Sequence, residues 1–325
     1  MMSYRVRLYE YGGPEKLCYE VDPDADDEPG AGKVRIRHDA IGLNYVDTLF
    51  RSGEIPFKIP ANMGVEGAGV VEAVGSGVND LKVGDSVAYF FSFGAYAGVR
   101  LVDAALLVKL PGNVSTNVAA ALMAKGLTAW MMLKCVHEVR QGDVVLVNGA
   151  AGGVGSLTAT WASSLGATVI AVVGSPSKAS SLRDRGIKHV FNQSDPEFND
   201  KLQSLTHGRG VDVAYELVGR VTFKQTAQAL RENGHMVHVG NASGAPTADE
   251  IAAIAGRSVR YSRPHTNQYV TDRQSLEKGS TDLFAAYSAG VFGPIEPVQY
   301  PLAAVTRAHE DLKARRILGP AVLIP

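Results

Sequence analysis

Cysteine is almost missing: Cys18 and Cys135 are the whole supply in 325 residues, too few and too far apart for a disulfide framework or a four-thiolate zinc site. A reducing, cytoplasmic setting is the expectation. No apolar run approaches the ~18 residues that a membrane span needs. Residues Met1-Met2-Ser3-Tyr4-Arg5-Val6-Arg7 do not read as a secretory leader, so a soluble protein without a membrane partner is expected. An excess of one charge is missing too. Lys+Arg number 32 against Asp+Glu 33, a formal charge of -1, which argues against a protein built to grip nucleic-acid backbones. With 46% hydrophobic and 20% charged residues, disorder, collagen-like repetition and coiled coil fit poorly. There is no internal repeat.

What the chain has in quantity is glycine, 35 residues, and with it many positions suited to tight turns or close approach. Its length predicts two domains. From Lys33 to about Val108 the texture is short β-like runs, among them 33–37, 69–74 and 85–91, separated by Gly, Asn and Asp, which predicts a small barrel or rolled sheet. A helix rich in Ala, Leu and Met is expected at 117–136. From Asp143 strands and helices alternate as in a parallel, doubly wound sheet, with strands at 144–147, 168–173, 189–191, 211–215 and 236–239. Helices around 283–289 and 305–315 and a last strand at 321–324 are expected to return to the first domain and close it.

The first strand of the alternating block runs into Asn148-Gly-Ala-Ala-Gly-Gly-Val-Gly155 and then into a helix striped with Val154, Leu157, Trp161 and Leu165. Glycines 152, 153 and 155 let backbone amides approach a pyrophosphate at the positive end of that helix. A turn made only for packing is the plainer alternative; the strand before and the helix after favour a dinucleotide. The second strand ends in Gly174-Ser175-Pro-Ser-Lys178, without the acidic residue that would accept from an unphosphorylated ribose. Ser175 can donate to a 2′-phosphate and Lys178 offers it a positive charge, so NADPH is favoured over NADH.

Ile41-Gly-Leu-Asn-Tyr-Val-Asp-Thr48, Arg51-Ser-Gly53, Gly64-Val-Glu-Gly-Ala-Gly-Val-Val-Glu-Ala-Val-Gly75, Lys82-Val-Gly-Asp85, Lys125-Gly-Leu-Thr128, Ala150-Ala-Gly-Gly-Val-Gly155, Val239-Gly-Asn-Ala-Ser-Gly244 and the terminal Leu-Ile-Pro325 occur together in this chain. Over essentially its whole length the chain resembles the zinc-free quinone oxidoreductases, the zeta-crystallin-like members of the medium-chain dehydrogenase/reductase superfamily. The resemblance implies an α/β chain: a GroES-like, β-rich catalytic domain at 1–124 and 266–325, and a doubly wound Rossmann NADPH-binding domain at 125–265. It implies an NADPH:quinone reductase that works as a homodimer, the strand near 258–261 lying at the sheet edge. Zinc enzymes of the superfamily carry Cys and His where this chain has Asn44 and Val65, and neither of these can replace them as a metal ligand. No metal is expected, and hydride delivery to an electron-poor acceptor is the chemistry that remains.

Carried over by position, the resemblance assigns Asn44, Asp47, Lys125 and Thr128 to the reacting end, with Tyr45 and Trp130 beside the cofactor. Gly152, Gly153 and Val154 go to the pyrophosphate; Gly174, Ser175, Lys178 and Gln193 to the adenosine half. Leu217, Val239, Gly240 and Asn241 go to the nicotinamide half, Pro264, His265 and Thr266 to the cleft mouth, and Arg315 to a further cofactor contact. Each has a plainer reading: Asn44 and Asp47 suit a helix cap, Lys125 a carboxylate pair, and Lys178, Arg263 and Arg315 surface charge. Leu49, Ile55, Gln193 and Val239 depart from the residues common in the family: Leu49 and Ile55 leave a greasier, wider acceptor cleft, Gln193 cannot stack on adenine, and Trp130, in place of a common tyrosine, refills part of the space. Tyr45, His265 and solvent are the candidate proton donors. Reduction of enone or alkenal double bonds is the second reading, and a non-catalytic, crystallin-like or RNA-binding role the third.

Overall fold

A computed structural model describes residues 2–255 and 258–325. The chain divides into two units, Met1–Ala124 with Asp272–Phe284 and Ile295–Pro325, and Lys125–Thr271 with Ala285–Pro294. The sequence reading extended the first unit over all of 266–325, whereas 266–271 and 285–294 lie with the second. The stacking of Phe292 edge-on against Trp161, with ring centroids 5.5 Å apart, anchors that returning segment.

In the first unit, strands run in the order Val298–Pro301, Ala321–Ile324, Lys33–Leu43, Gly67–Val74, Ser86–Tyr89 and Leu107–Lys109, with Val99–Asp103 also paired to Lys33–Leu43. A separate antiparallel sheet joins Leu17–Val21, Tyr4–Leu8 and Ala61–Asn62. The last strand pairs antiparallel with Lys33–Leu43, so the C-terminus completes this sheet as expected. Strand Lys33–Leu43 outruns the predicted 33–37 because its later residues are buried on both faces, and the alternation that marks a half-exposed strand disappears. Val6, Ile36, Ile41, Val87 and Leu323 pack in its core.

In the second unit, six parallel strands lie in the order His189–Asn192, Thr168–Val173, Val144–Asn148, Val211–Glu216, Leu230–His238 and Arg260–Ser262. Both faces of the central strand are buried. Strand order reverses around Val144–Asn148, and the carboxyl end of that strand is where a crevice opens in such a sheet.

The expected absence of a membrane-length apolar run needs correction. Thr116–Val136 is a single 21-residue helical stretch, α-helical to Trp130 and π-helical beyond, long and apolar enough to pass that test. With 83% of its apolar window buried inside the fold, it is a core helix. Its two Lys and many Ala residues disguise the run when each residue is read separately.

Candidate active site

In the second unit, strand Val144–Asn148 ends at Gly149, whose φ of 69° turns the chain back, and helix Gly153–Ser164 starts four residues later. The Ala150 amide donates to the Val172 carbonyl at 3.1 Å, pinning the loop to the neighbouring strand. Helix and loop touch backbone to backbone: a Cβ on Gly155 would lie 2.2 Å from the Gly149 carbonyl oxygen. No side chain caps the helix at Gly152, so its first-turn amides and the positive end of its dipole are presented to an anion. Lys125 is buried, its alkyl chain lying over the helix start so that a Cβ on Gly153 would meet Lys125 Cδ at 2.9 Å.

The loop after the second strand suits a phosphorylated ribose. A Cβ on exposed Gly174 would meet nothing within 4 Å, Ser175 and Ser177 share a hydroxyl hydrogen bond at 3.0 Å, and Lys178 ends the short 3-10 turn Pro176–Lys178. Gln193, half-buried, is held there by its amide on the Val173 carbonyl at 2.8 Å. An open, cationic, acid-free end to that strand, beside an uncapped helix N-terminus, fits NADPH.

Glu216, which the sequence reading passed over, organises the next loop. Its fully buried carboxylate accepts from Val218 N at 2.7 Å, Gly219 N at 2.9 Å, Thr222 Oγ1 at 2.8 Å, Asn148 Nδ2 at 3.2 Å and Thr226 Oγ1 at 2.5 Å. These five donors brace the turn that carries Leu217, and the Glu216 carbonyl receives the Val239 and Gly240 amides. The one available signal was an acid closing the strand Val211–Glu216, which also carries Asp212 near its start.

Asn241 stands between buried His238 and exposed Arg263: with Nδ2 donating to His238 Nε2 at 2.8 Å, its Oδ1 accepts from Arg263 Nη2 at 2.8 Å. Burial pulls the His238 pKa down, which keeps the ring neutral and able to accept. Thr128 and Thr266, 138 residues apart, meet through their hydroxyls at 3.0 Å. Pro264 and Trp130 are buried. His265 is exposed, its amide donating to Gln268 Oε1 at 3.0 Å in a local turn.

In the first unit, Asn44 ends the long strand and starts helix Tyr45–Ser52. Its amide N–H donates to Asp47 Oδ2 at 2.9 Å, the helix-cap role foreseen for this pair. Its side chain does more. Nδ2 donates to Glu66 Oε1 at 2.7 Å, while Glu66 Oε2 accepts the Ala124 amide at 2.6 Å, so a buried carboxylate sets the rotation of the Asn44 amide. Gly42 makes room for Glu66: a Cβ there would fall 2.1 Å from Glu66 Oε1. Tyr45 and Arg315 are exposed.

An aromatic face in the same unit also escaped the sequence reading. Phe57 and Phe93 stack at 5.5 Å and 21°, Phe50 meets Phe93 edge-on at 4.8 Å, and partly exposed Phe91 continues the series at 5.8 Å with a φ of 54°. Positive φ is uncommon for so bulky a residue. Among the described residues, no group of three or more His, Cys, Asp or Glu side chains is arranged to hold a metal ion.

Residues 30–112 match the family model for the alcohol dehydrogenase GroES-like domain, and residues 153–275 the one for zinc-binding dehydrogenase. Quinone oxidoreductase 1 of Escherichia coli is 37% identical over 329 aligned residues, covering 100% of both chains. A 2-haloacrylate reductase from a Burkholderia species is 37% identical, covering 98% of each. Among solved structures, Escherichia coli quinone oxidoreductase complexed with NADPH superposes with a TM-score of 0.93 at 36% identity, covering 99% of this chain and 100% of that one.

Proposed function

This chain belongs to the zinc-free quinone oxidoreductases of the medium-chain dehydrogenase/reductase superfamily, and from that footing we propose how it reduces a quinone at the expense of NADPH. NADPH, when bound, supplies a hydride, which with one proton from solvent turns a quinone into a hydroquinone. The observation that carries the reading is the uncapped glycine cradle followed by an acid-free, Lys178-bearing strand end.

The protein's work is binding and orientation. Amides at Gly152, Gly153 and Val154 hold the pyrophosphate; Gly174, Ser175 and Lys178 take the ribose phosphate, with Gln193 on the adenosine side. Leu217, Val239, Gly240 and Asn241 line the nicotinamide half, together with Thr128 and Thr266. Asn44, its amide rotation set by Glu66, and Thr128 address the reacting end; Lys125 supports the helix start. The family model's zinc does not carry over, because Asn44 and Val65 offer no thiolate or imidazole.

Steady-state NADPH oxidation with a simple quinone tests the site. Asn44→Ala and Thr128→Val each lower kcat/KM by about 10- to 100-fold. Wild-type turnover in both would remove the placement of the reacting end. On the cofactor side, Ser175→Asp weakens NADPH binding by about tenfold or more and improves NADH, since a carboxylate accepts from a ribose hydroxyl and repels its phosphate. Equal affinities before and after the change would sink the assignment of that loop. The 2-haloacrylate reductase relative favours activated alkenes as a second acceptor class, and comparing kcat/KM for a quinone and an enal separates the two.

We place the enzyme in the cytoplasm as a homodimer. Two exposed thiols, Cys18 and Cys135, support a reducing compartment, and the edge position of Arg260–Ser262, paired on one side with Leu230–His238, supports association through that strand.

A further inference from the structure

Behind Asn44, wholly within the first unit, four buried side chains form a hydrogen-bond chain whose direction is fixed by chemistry. Arg51 can only donate, and its Nη1 lies 3.2 Å from His309 Nδ1, so Nδ1 is the acceptor. Burial, with Arg51 beside it, holds the His309 pKa down to about 3, so the imidazole carries one proton, and that proton is on Nε2. Nε2 lies 3.0 Å from the Tyr96 hydroxyl and donates to it. Tyr96 in turn donates to Asp47 Oδ2 at 3.0 Å, the same oxygen that receives the Asn44 amide at 2.9 Å. Arg51, His309, Tyr96 and Asp47 are all buried.

Arg51 and Asp47 are four residues apart on helix Tyr45–Ser52, a spacing at which a direct ion pair is available. Two neutral rings from distant parts of the chain also link them, His309 on helix Val305–Lys313 and Tyr96 in the loop whose amide is held by the Met63 carbonyl at 2.7 Å. Buried polar chains of this kind add little net stability over apolar packing of the same shape, but they specify one geometry. The geometry specified is that of Asp47 on the Asn44 amide. Resting on the role given to Asn44 above, we propose that Tyr96 and His309 are positioning residues for hydride transfer: they hold Asp47 against the Asn44 backbone while Glu66 sets the rotation of the Asn44 side chain.

Purified full-length enzyme, assayed by NADPH oxidation with a quinone, tests this through kinetics and not stability. Tyr96→Phe lowers kcat by about tenfold, with the KM for NADPH nearly unchanged, and adds little when combined with Asn44→Ala, because both act through one group. The His309 pair is the second arm, should Tyr96→Phe not fold. His309→Gln offers a carbonyl to Arg51 and an N–H to Tyr96 and keeps most of the turnover; His309→Leu breaks the chain and loses as much as Tyr96→Phe. An Asn44→Ala enzyme that is impaired beside a Tyr96→Phe enzyme with wild-type kcat overturns the positioning role alone. Equal turnover per folded molecule in His309→Gln and His309→Leu does the same. Wild-type kinetics in Asn44→Ala overturns the placement of Asn44 itself, and the positioning role with it.

Discussion

Gly155→Ala binds NADPH at least about 100-fold more weakly than the wild type, a loss of ~2.7 kcal/mol. The added Cβ would lie 2.2 Å from the Gly149 carbonyl oxygen and 2.9 Å from the Ala150 Cα. Both are backbone atoms, so no rotamer change relieves the overlap. Helix Gly153–Ser164 must back away from the loop, and the first-turn amides move with it. Overpacking of this kind also lowers stability by about 1–3 kcal/mol. Gly112→Ala, at a position where a Cβ meets nothing within 4 Å, is the control for handling and folding. Fluorescence titration with NADPH reads the result. A Gly155→Ala protein whose affinity stays within threefold of wild type would mean that the cofactor does not lie on this loop.

Acid destabilises the protein steeply, beginning near pH 6.5, well above the carboxylate range. His38, His235 and His309 are buried, and burial pushes each from its ordinary value to about 3. His38 is locked neutral, its Nδ1 donating to the Ala97 carbonyl at 2.7 Å while Nε2 faces the Tyr89 hydroxyl at 2.9 Å. His235 Nε2 meets Ser262 Oγ at 2.8 Å on the edge strand. Unfolded, each ring titrates near 6.5, so between pH 6.5 and 3 the unfolded chain binds about three more protons than the folded one. Stability is therefore complete above that window and lost as pH falls through it, with a slope of about 4 kcal/mol per pH unit near pH 5. Against an ordinary total of about 5–15 kcal/mol, two pH units decide whether the fold persists. Urea unfolding followed between pH 7 and pH 5 measures the slope, and His38→Gln reduces it by about one third. A flat profile over that range would show that these rings are reached by water in the folded protein.

The nucleotide unit was legible because its signals are local. A glycine-rich turn between an apolar strand and a striped helix can be read within twenty residues, and the observed strands Val144–Asn148, Thr168–Val173 and Val211–Glu216 differ from the expected ranges by no more than a residue at either end. Asn44 and Asp47 were singled out, and their local cap is present. Their partners were not legible. Glu66 reads as one acid in a glycine-rich strand, Tyr96 as one aromatic among several, and His309 as a polar residue in an exposed-looking helix, though each is buried. The Phe57–Phe93 stack likewise joins two loops that are unremarkable separately.

Composition, periodicity and the glycine spacing determined by themselves the fold class, the dinucleotide cradle and the bias toward a phosphorylated ribose, since these follow from backbone conformation and charge within short windows. Only the tertiary structure decided which polar groups are taken out of water and what satisfies them. The Arg51–His309 contact closes 258 residues of chain, and one of the donors on Glu216, Asn148, comes from 68 residues away. Desolvation and hydrogen-bond direction belong to the packed interior, where the cost of an unmatched buried polar group makes each partner specific.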